Sequence, residues 1–295
     1  MQPEISICIP TFNRKEYLKE TLSSIFAQTY SDYEIVIVDD GSTDGTEQML
    51  KESCYKVRYH WQENRGDATA RNKLIELARG RYITFIDSDD LLMPDAVERM
   101  VEVFKREPDD VVVYGNYISI DEYGNEIKRS KRKLYSGYIT QYLFRNILIH
   151  SCGSMFPKRV LDRMGGFDSN LRVCSDYELW LRLSLKYRFI ALSEPTFKRR
   201  RHSGNLSAIS YKNILTELMV LERFYYENGG KEVVPEKIAM ARLAGEGYRV
   251  AKAAVHERSF QQALDLLLQS MRRRFQLKAA CLYTYVYIRK LFSGK

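Results

Sequence analysis

Along the first half of the chain, short apolar runs alternate with segments of helical period. Ile5-Ser-Ile-Cys-Ile9 is a compact apolar run closed by Pro10, and it predicts a buried strand. Tyr17, Leu18, Leu22, Ile25 and Phe26 recur at helical spacing and predict a helix over residues 15–28. Glu34-Ile-Val-Ile-Val-Asp39 predicts a second strand, and residues 43–51 a second helix. The pattern then repeats. Residues 57–61 read as a strand, 67–78 as a helix, 82–86 as a strand, 94–106 as a helix with proline in its first turn, and 111–114 as a strand.

Strand and helix alternating at this spacing predict an α/β fold, a mostly parallel, Rossmann-like sheet covered by helices on both faces. Ligands of such sheets bind beyond the carboxyl ends of the strands. Polar residues stand at three of those ends: Thr11-Phe-Asn13, Asp39-Asp-Gly-Ser42 and Asp87-Ser-Asp-Asp90. From about Tyr211 the β-branched runs stop, and helical patterns follow at 212–226, 236–255, 259–271 and 277–292. The expected organisation is an α/β domain over 1–210 and a helical C-terminal region over 211–295.

Charge and cysteine usage narrow the setting. The net charge of +8 favours an anionic partner without choosing among nucleotide phosphates, nucleic acid and an acidic membrane face. The five cysteines are odd in number, widely spaced and lack a C-x-x-C pair. That argues against a disulfide framework or a thiolate zinc site, and for a reducing compartment. The N-terminal residues have no basic start followed by a long apolar run, so no signal peptide is expected. No uncharged window reaches the ~18 apolar residues of a membrane span. A cytoplasmic protein is the expectation.

The acidic loop carries the first candidate chemistry. Carboxylates crowded at one strand end repel each other, and a shared hard cation such as Mg²⁺ or Mn²⁺ relieves that repulsion. A turn with an aspartate helix cap before Pro94 would use the same residues. Asp40, at the end of the second strand, suits a base N–H or a ribose hydroxyl, and equally a turn at Gly41. No G-x-G-x-x-G follows the first strand and no G-x-x-x-x-G-K-[ST] occurs, which weighs against dinucleotide dehydrogenases and P-loop nucleotidases.

Five segments then combine. Ile9-Pro-Thr-Phe-Asn-Arg14, Val38-Asp-Asp-Gly-Ser42, Asn64-Arg-Gly with Ala70-Arg-Asn72, Phe85-Ile-Asp-Ser-Asp-Asp90 and Pro94-Asp95 occur in this order. Over about residues 4–210 they resemble glycosyltransferase family 2, which has the GT-A fold. The resemblance implies a transferase that takes a sugar from a nucleoside-diphosphate donor, most commonly a UDP-sugar. Pro10, Thr11, Asn13, Asp40, Arg71, Asp87, Ser88 and Arg201 would then bind the nucleotide-sugar. Asp89 would be the closest ligand of a Mn²⁺ or Mg²⁺ ion, with Asp87 and His202 beside it. Cys174-Ser-Asp-Tyr-Glu-Leu-Trp-Leu-Arg182 resembles the family's acidic catalytic motif. Ser175 replaces its first acid, so Asp176 alone carries the match and would be the base of an inverting displacement. Gly165-Gly-Phe-Asp168 would frame the donor sugar, and Ser203 to Ser207 a mobile loop over the nucleotide.

The implied acceptor is a hydroxyl of a glycan or lipid-linked sugar, in bacterial surface polysaccharide synthesis. The C-terminal helices mix Arg272-Arg-Arg274, Lys278, Arg289 and Lys290 with Tyr, Phe and Leu. That mixture suits either a helix lying on an acidic membrane at the inner face of the plasma membrane, or a bundle with a charged outside. No nucleic-acid module appears. Two rivals stand beside the transferase. A sugar nucleotidyltransferase would need a Gly-rich basic loop where Pro10-Thr-Phe-Asn13 stands. A non-catalytic GT-A-like binder would have no need of the acids at 40, 87, 89 and 176.

Overall fold

The computed structural model describes residues 2–107, 110–202 and 211–292. The chain divides into two compact units, residues 1–139 with 148–205, and residues 140–147 with 206–295.

The first unit begins as its hydrophobic pattern dictates: β1 (Ile5–Thr11), α1 (Lys15–Phe26), β2 (Tyr33–Asp39), α2 (Thr46–Glu52), β3 (Arg58–Trp61), α3 (Asp67–Leu77) and β4 (Tyr82–Phe85). β5 (Leu91–Leu92), α4 (Ala96–Arg106), β6 (Val111–Tyr114), β7 (Tyr117–Ile120) and β8 (Glu126–Arg129) follow. α5 (Thr140–Arg145) belongs to the second unit. The first unit then resumes with β9 (Met155–Pro157), α6 (Lys158–Met164), α7 (Ser175–Ser184), β10 (Arg188–Ala191) and β11 (Phe197–Arg200).

Seven strands form the main sheet in the order β10-β6-β9-β4-β1-β2-β3. All pairings are parallel except those of β9, which runs antiparallel between β4 and β6. The parallel strands β1, β2 and β4 therefore end on one edge and deliver their polar ends together. Every residue of β1 is buried, as a central strand covered on both faces requires. Ile7, Ile9, Ile35, Ile37, Val97, Met100 and Val113 are among the residues of the core. A second sheet, in the order β5-β11-β7-β8, lies after this edge in the chain. Its strands are two to four residues long, too short to leave a readable period in the sequence.

One boundary moves for a local reason. α2 starts at Thr46 rather than residue 43, because Gly45 takes a left-handed φ of +84° that cannot continue a helix backwards. The Asp44 carboxylate caps this start, accepting from the Thr46 N–H at 3.1 Å and from the Lys15 N–H at 2.9 Å.

In the second unit, α8 (Tyr211–Tyr226), α9 (Gly230–Val233), α10 (Glu236–His256), α11 (Phe260–Arg273) and α12 (Leu277–Phe292) pack with α5. Small residues on α10, including Ala244, Gly247, Ala251 and Ala254, let α11 approach closely, and Ser270 donates to the Ala244 carbonyl at 2.7 Å. Arg242 lies between buried Glu217, at 2.6 Å, and Glu246. Among the described residues, no helix is long and apolar enough to cross a membrane.

The first unit also half-buries a histidine and encloses its Nε2. The His150 ring stands edge-on to Tyr117 at 4.9 Å and near Phe197 at 6.0 Å. Burial, aided by the Arg199 and Arg132 charges, lowers its pKa to about 3. The folded ring is thus neutral where the unfolded one is protonated, so the unfolded state binds more protons below about pH 6.5. Its presence should destabilise the fold progressively as pH falls through that value towards 3. Denaturant titrations should show wild type losing roughly 1–2 kcal/mol more than His150→Phe between pH 7 and pH 5.

Candidate active site

The acidic loop follows β4 directly. Its Asp87 carboxylate meets the Arg71 guanidinium of α3 at 2.5 Å, and Arg71 also donates to Asp67 at 2.7 Å. The Arg71 guanidinium lies over the Phe85 and Phe167 rings, 5.6 and 5.8 Å from their centres. Arg71 is 4% exposed, and its Nη1 has no hydrogen-bond partner among the described residues. Burial works against its charge, but Asp67 and Asp87 outweigh burial and hold it firmly protonated. Burial would raise the Asp87 pKa, yet the charge and hydrogen bond of Arg71 take it below the ordinary carboxylate range. The Asp87 side chain keeps 42% of its surface exposed, so the ion pair dominates its acidity.

Asp89 and Asp90 diverge. Asp89 accepts a hydrogen bond from His202 Nε2 at 2.8 Å and lies 3.9 Å from the Arg14 guanidinium. The His202 ring stacks on Tyr17 of α1 at 5.0 Å. Asp90 turns inward: it is 4% exposed and accepts from the Arg200 N–H at 2.8 Å. Burial and the Asp87 and Asp89 charges push its pKa well up. One ligand atom each of Asp87, Asp90 and Cys152 lies within 4.8 Å of the others. The Cys152 sulfur accepts from the Asp87 N–H at 3.2 Å, and burial followed by the nearby carboxylates keeps it a thiol.

The other expected donor-site residues line the same edge, several already engaged within the protein. Asp40 accepts from Gln62 Nε2 at 2.7 Å and from the Arg65 and Gly66 N–H groups at 2.9 and 2.8 Å. It thereby ties down the loop that starts α3. Asn13, at a left-handed φ of 50°, accepts from the Thr43 N–H and receives Ser42 Oγ on its own N–H, both at 2.8 Å. Pro10, Thr11 and Ser88 are buried, and Thr11 Oγ1 has no partner among the described residues. Arg201 is exposed, and its N–H donates to the Ile120 carbonyl at 2.9 Å. The expected loop Ser203 to Ser207 lies outside the described residues.

Asp176 stands in the first turn of α7 after Cys174, whose φ of 62° is left-handed. Its Oδ1 accepts the Tyr177 N–H at 2.8 Å, and Ser151 Oγ lies 3.5 Å from Oδ2. Burial raises its pKa, and the Arg71 charge only partly opposes this. Leu179, Trp180 and Leu183 are fully buried on the inward face of α7.

Other residues that build this site received no role from the sequence, although Asn72, Phe167 and Arg182 lie within the segments quoted above. Arg200 is fully buried. It donates to the Asp89 carbonyl at 2.9 Å, the Glu122 carbonyl at 2.9 Å and the Glu20 carboxylate at 2.6 Å. One side chain thus joins α1, the acidic loop and the β7–β8 turn. Asn72 clamps Phe167 through its N–H and its carbonyl, both at 2.8 Å. Arg182 pairs with Glu178 at 2.7 Å and donates to the Gly166 carbonyl at 2.7 Å. These contacts hold the Phe167 ring beneath Arg71.

Gly166 has a φ of +66°, and a Cβ there would stand 2.4 Å from Asn72 Oδ1. Gly166→Ala should therefore break the Asn72 clamp and destabilise the fold by about 2 kcal/mol, read as a lower denaturant midpoint.

Comparison with known proteins identifies the family and the fold. The model of glycosyl transferase family 2 matches residues 6–165, more than half of the chain. Chondroitin synthase of Escherichia coli is 34% identical over 215 residues, covering 70% of this chain and 30% of that protein. The chain spans from 30% to 65% of the length of its first curated relatives. Residues 1–349 of S. aureus TarS, solved in complex with UDP-GlcNAc, superpose with a TM-score of 0.66 at 18% identity, over 95% of this chain and 83% of that fragment. The mannosyltransferase PcManGT of Pyrobaculum calidifontis, solved with GDP-Man and Mn²⁺, does so with a TM-score of 0.61 at 19% identity, over 99% of this chain and 81% of PcManGT. With the mixed sheet, the acidic loop at its edge and this match, the chain belongs to glycosyl transferase family 2 and has its GT-A fold.

Proposed function

We propose that the chain transfers a sugar, with inversion, from a nucleoside-diphosphate donor to a hydroxyl of a glycan or lipid-linked acceptor. The observation that supports this reading is the difference in surroundings between two carboxylates, Asp89 and Asp176. Asp89 faces His202 at 2.8 Å, whereas Asp176 stands apart on α7 with a raised pKa. A UDP-sugar is the favoured donor, in keeping with TarS, which was solved with UDP-GlcNAc. The sequence relation to a chondroitin synthase supports a polysaccharide acceptor, and surface polysaccharide synthesis is the proposed setting.

The residues fit a hard divalent cation. Asp89 would supply a carboxylate oxygen and His202 its Nε2, which stand 2.8 Å apart, once the proton of the hydrogen bond between them is released. Neighbouring ligands of one octahedral ion with ~2.1 Å bonds stand about 3 Å apart. The carboxylate oxygen suits Mn²⁺ or Mg²⁺, and an imidazole beside it favours the softer Mn²⁺ over Mg²⁺; PcManGT was solved with Mn²⁺. When bound, such an ion neutralises charge on the leaving diphosphate. Asp87, already paired with Arg71, would shape this pocket more than ligate the ion. Pro10, Thr11 and the loops braced by Asn13 and Asp40 would receive the nucleoside, with Ser88 and Arg201 facing the phosphates. The Asp176 carboxylate would accept the proton of the acceptor hydroxyl as its oxygen attacks the anomeric carbon. Its raised pKa makes it a stronger base than an exposed aspartate.

Two variants separate these roles. Asp89→Ala should abolish the Mn²⁺-dependent rise in melting temperature given by UDP or GDP. Asp176→Asn should keep that rise and lower kcat by about 10²–10⁴. No metal-dependent binding of either nucleotide to wild type would sink the donor reading; wild-type turnover by Asp176→Asn would remove the base assignment.

A further inference from the structure

α12 has two opposite apolar faces. One is buried: Ala279 and Val286 are fully covered, with Leu282 and Tyr283 packed against α10 and α11 residues. The other points to solvent. Leu277, Cys281, Tyr285, Ile288 and Leu291 follow the i, i+4, i+8, i+11, i+14 progression of one helical stripe and are all exposed. Leu277 is 71% and Leu291 60% exposed, and Phe275 in the preceding turn is 70% exposed. A stripe this long is not the scattered apolar exposure of an ordinary surface.

Charge selects what covers it. After Asp265 the sequence contains no acid, but it contains Arg272, Arg273, Arg274, Lys278, Arg289, Lys290 and Lys295. Arg272, Arg274, Lys278 and Arg289 are exposed beside the stripe. A second copy docking here would oppose cations with cations, which is costly. An anionic bilayer complements both features, the cations at the headgroups and the apolar stripe at the acyl boundary. At 16 residues α12 is about 24 Å long, shorter than the ~30 Å hydrocarbon core, so on a bilayer it would lie in the interface rather than span it.

We propose that the outer face of α12, with the Arg272–Lys278 turn, is a docking surface for anionic lipid bilayers. The surface belongs to the helical unit alone and stands whether or not the donor reading holds.

Vesicle co-sedimentation of the full chain tests this. Vesicles of phosphatidylcholine with about one quarter phosphatidylglycerol should bind it at least about tenfold more tightly than phosphatidylcholine alone. Binding should weaken as salt rises to about 0.5 M. Arg274→Glu/Arg289→Glu should lose about tenfold or more on the anionic vesicles. Ile288→Asp should lose a similar factor with all cations in place. All three positions are exposed, so circular dichroism and melting temperature should stay at wild-type values. A wild-type chain that stays in the supernatant with anionic vesicles overturns the proposal, as do folded variants that bind like wild type. A dimer in light scattering that Ile288→Asp splits would assign the face to a second copy and overturn it equally.

Discussion

A buried guanidinium bracketed by carboxylates governs this edge of the sheet. Asp87, Asp89 and Asp90 stand within one loop, and Asp67 approaches from α3. Left alone, such a group would repel and neutralise itself by protonation. Arg71 prevents that at Asp87, while its own planar head is gripped between Phe85 and Phe167. The aromatic faces favour a guanidinium over an ammonium, which makes lysine a poor substitute. Asn72 holds Phe167 and Arg182 holds the preceding Gly166 carbonyl, so the clamp extends from α3 to α7, the helix that carries Asp176.

Arg200 is the complementary cation. It reaches the same loop from the second sheet, through the Asp89 carbonyl, while its backbone N–H meets the Asp90 carboxylate. Asp90 is thereby drawn inward, and Asp89 is left facing His202. Buried charges of this kind contribute little net stability compared with apolar replacements, but losing one partner is costly. Their effect is to fix one arrangement of the loop, the pre-organisation a charged donor requires.

Much of this was legible in the residues. Long periodic segments marked the alternation from β1 to β6 and the helices α8, α10, α11 and α12, because a buried strand or an amphipathic helix must repeat its pattern over several turns or pleats; the short strands β9 and β10 that complete the main sheet left no such pattern. Polar triplets at the ends of β1, β2 and β4 marked the site, because parallel strands share an edge. The second sheet was not legible: its short strands place Phe197 and Arg200 both inside, a spacing that alternation does not anticipate. Nor were the internal partners. Asn13 and Asp40 look like ligand contacts in sequence, yet each braces a loop through backbone groups distant in the chain. Cys152 was invisible because a lone cysteine carries no spacing, and only the fold brings it to the acidic loop.

The Arg71–Asp87 pair is most directly tested by a double-mutant cycle of Arg71→Met and Asp87→Asn, read as unfolding free energy in denaturant. If the ion pair organises this edge, the two changes will couple by at least about 1 kcal/mol. Additivity within about 0.3 kcal/mol would contradict it and leave Asp87 held by something other than Arg71.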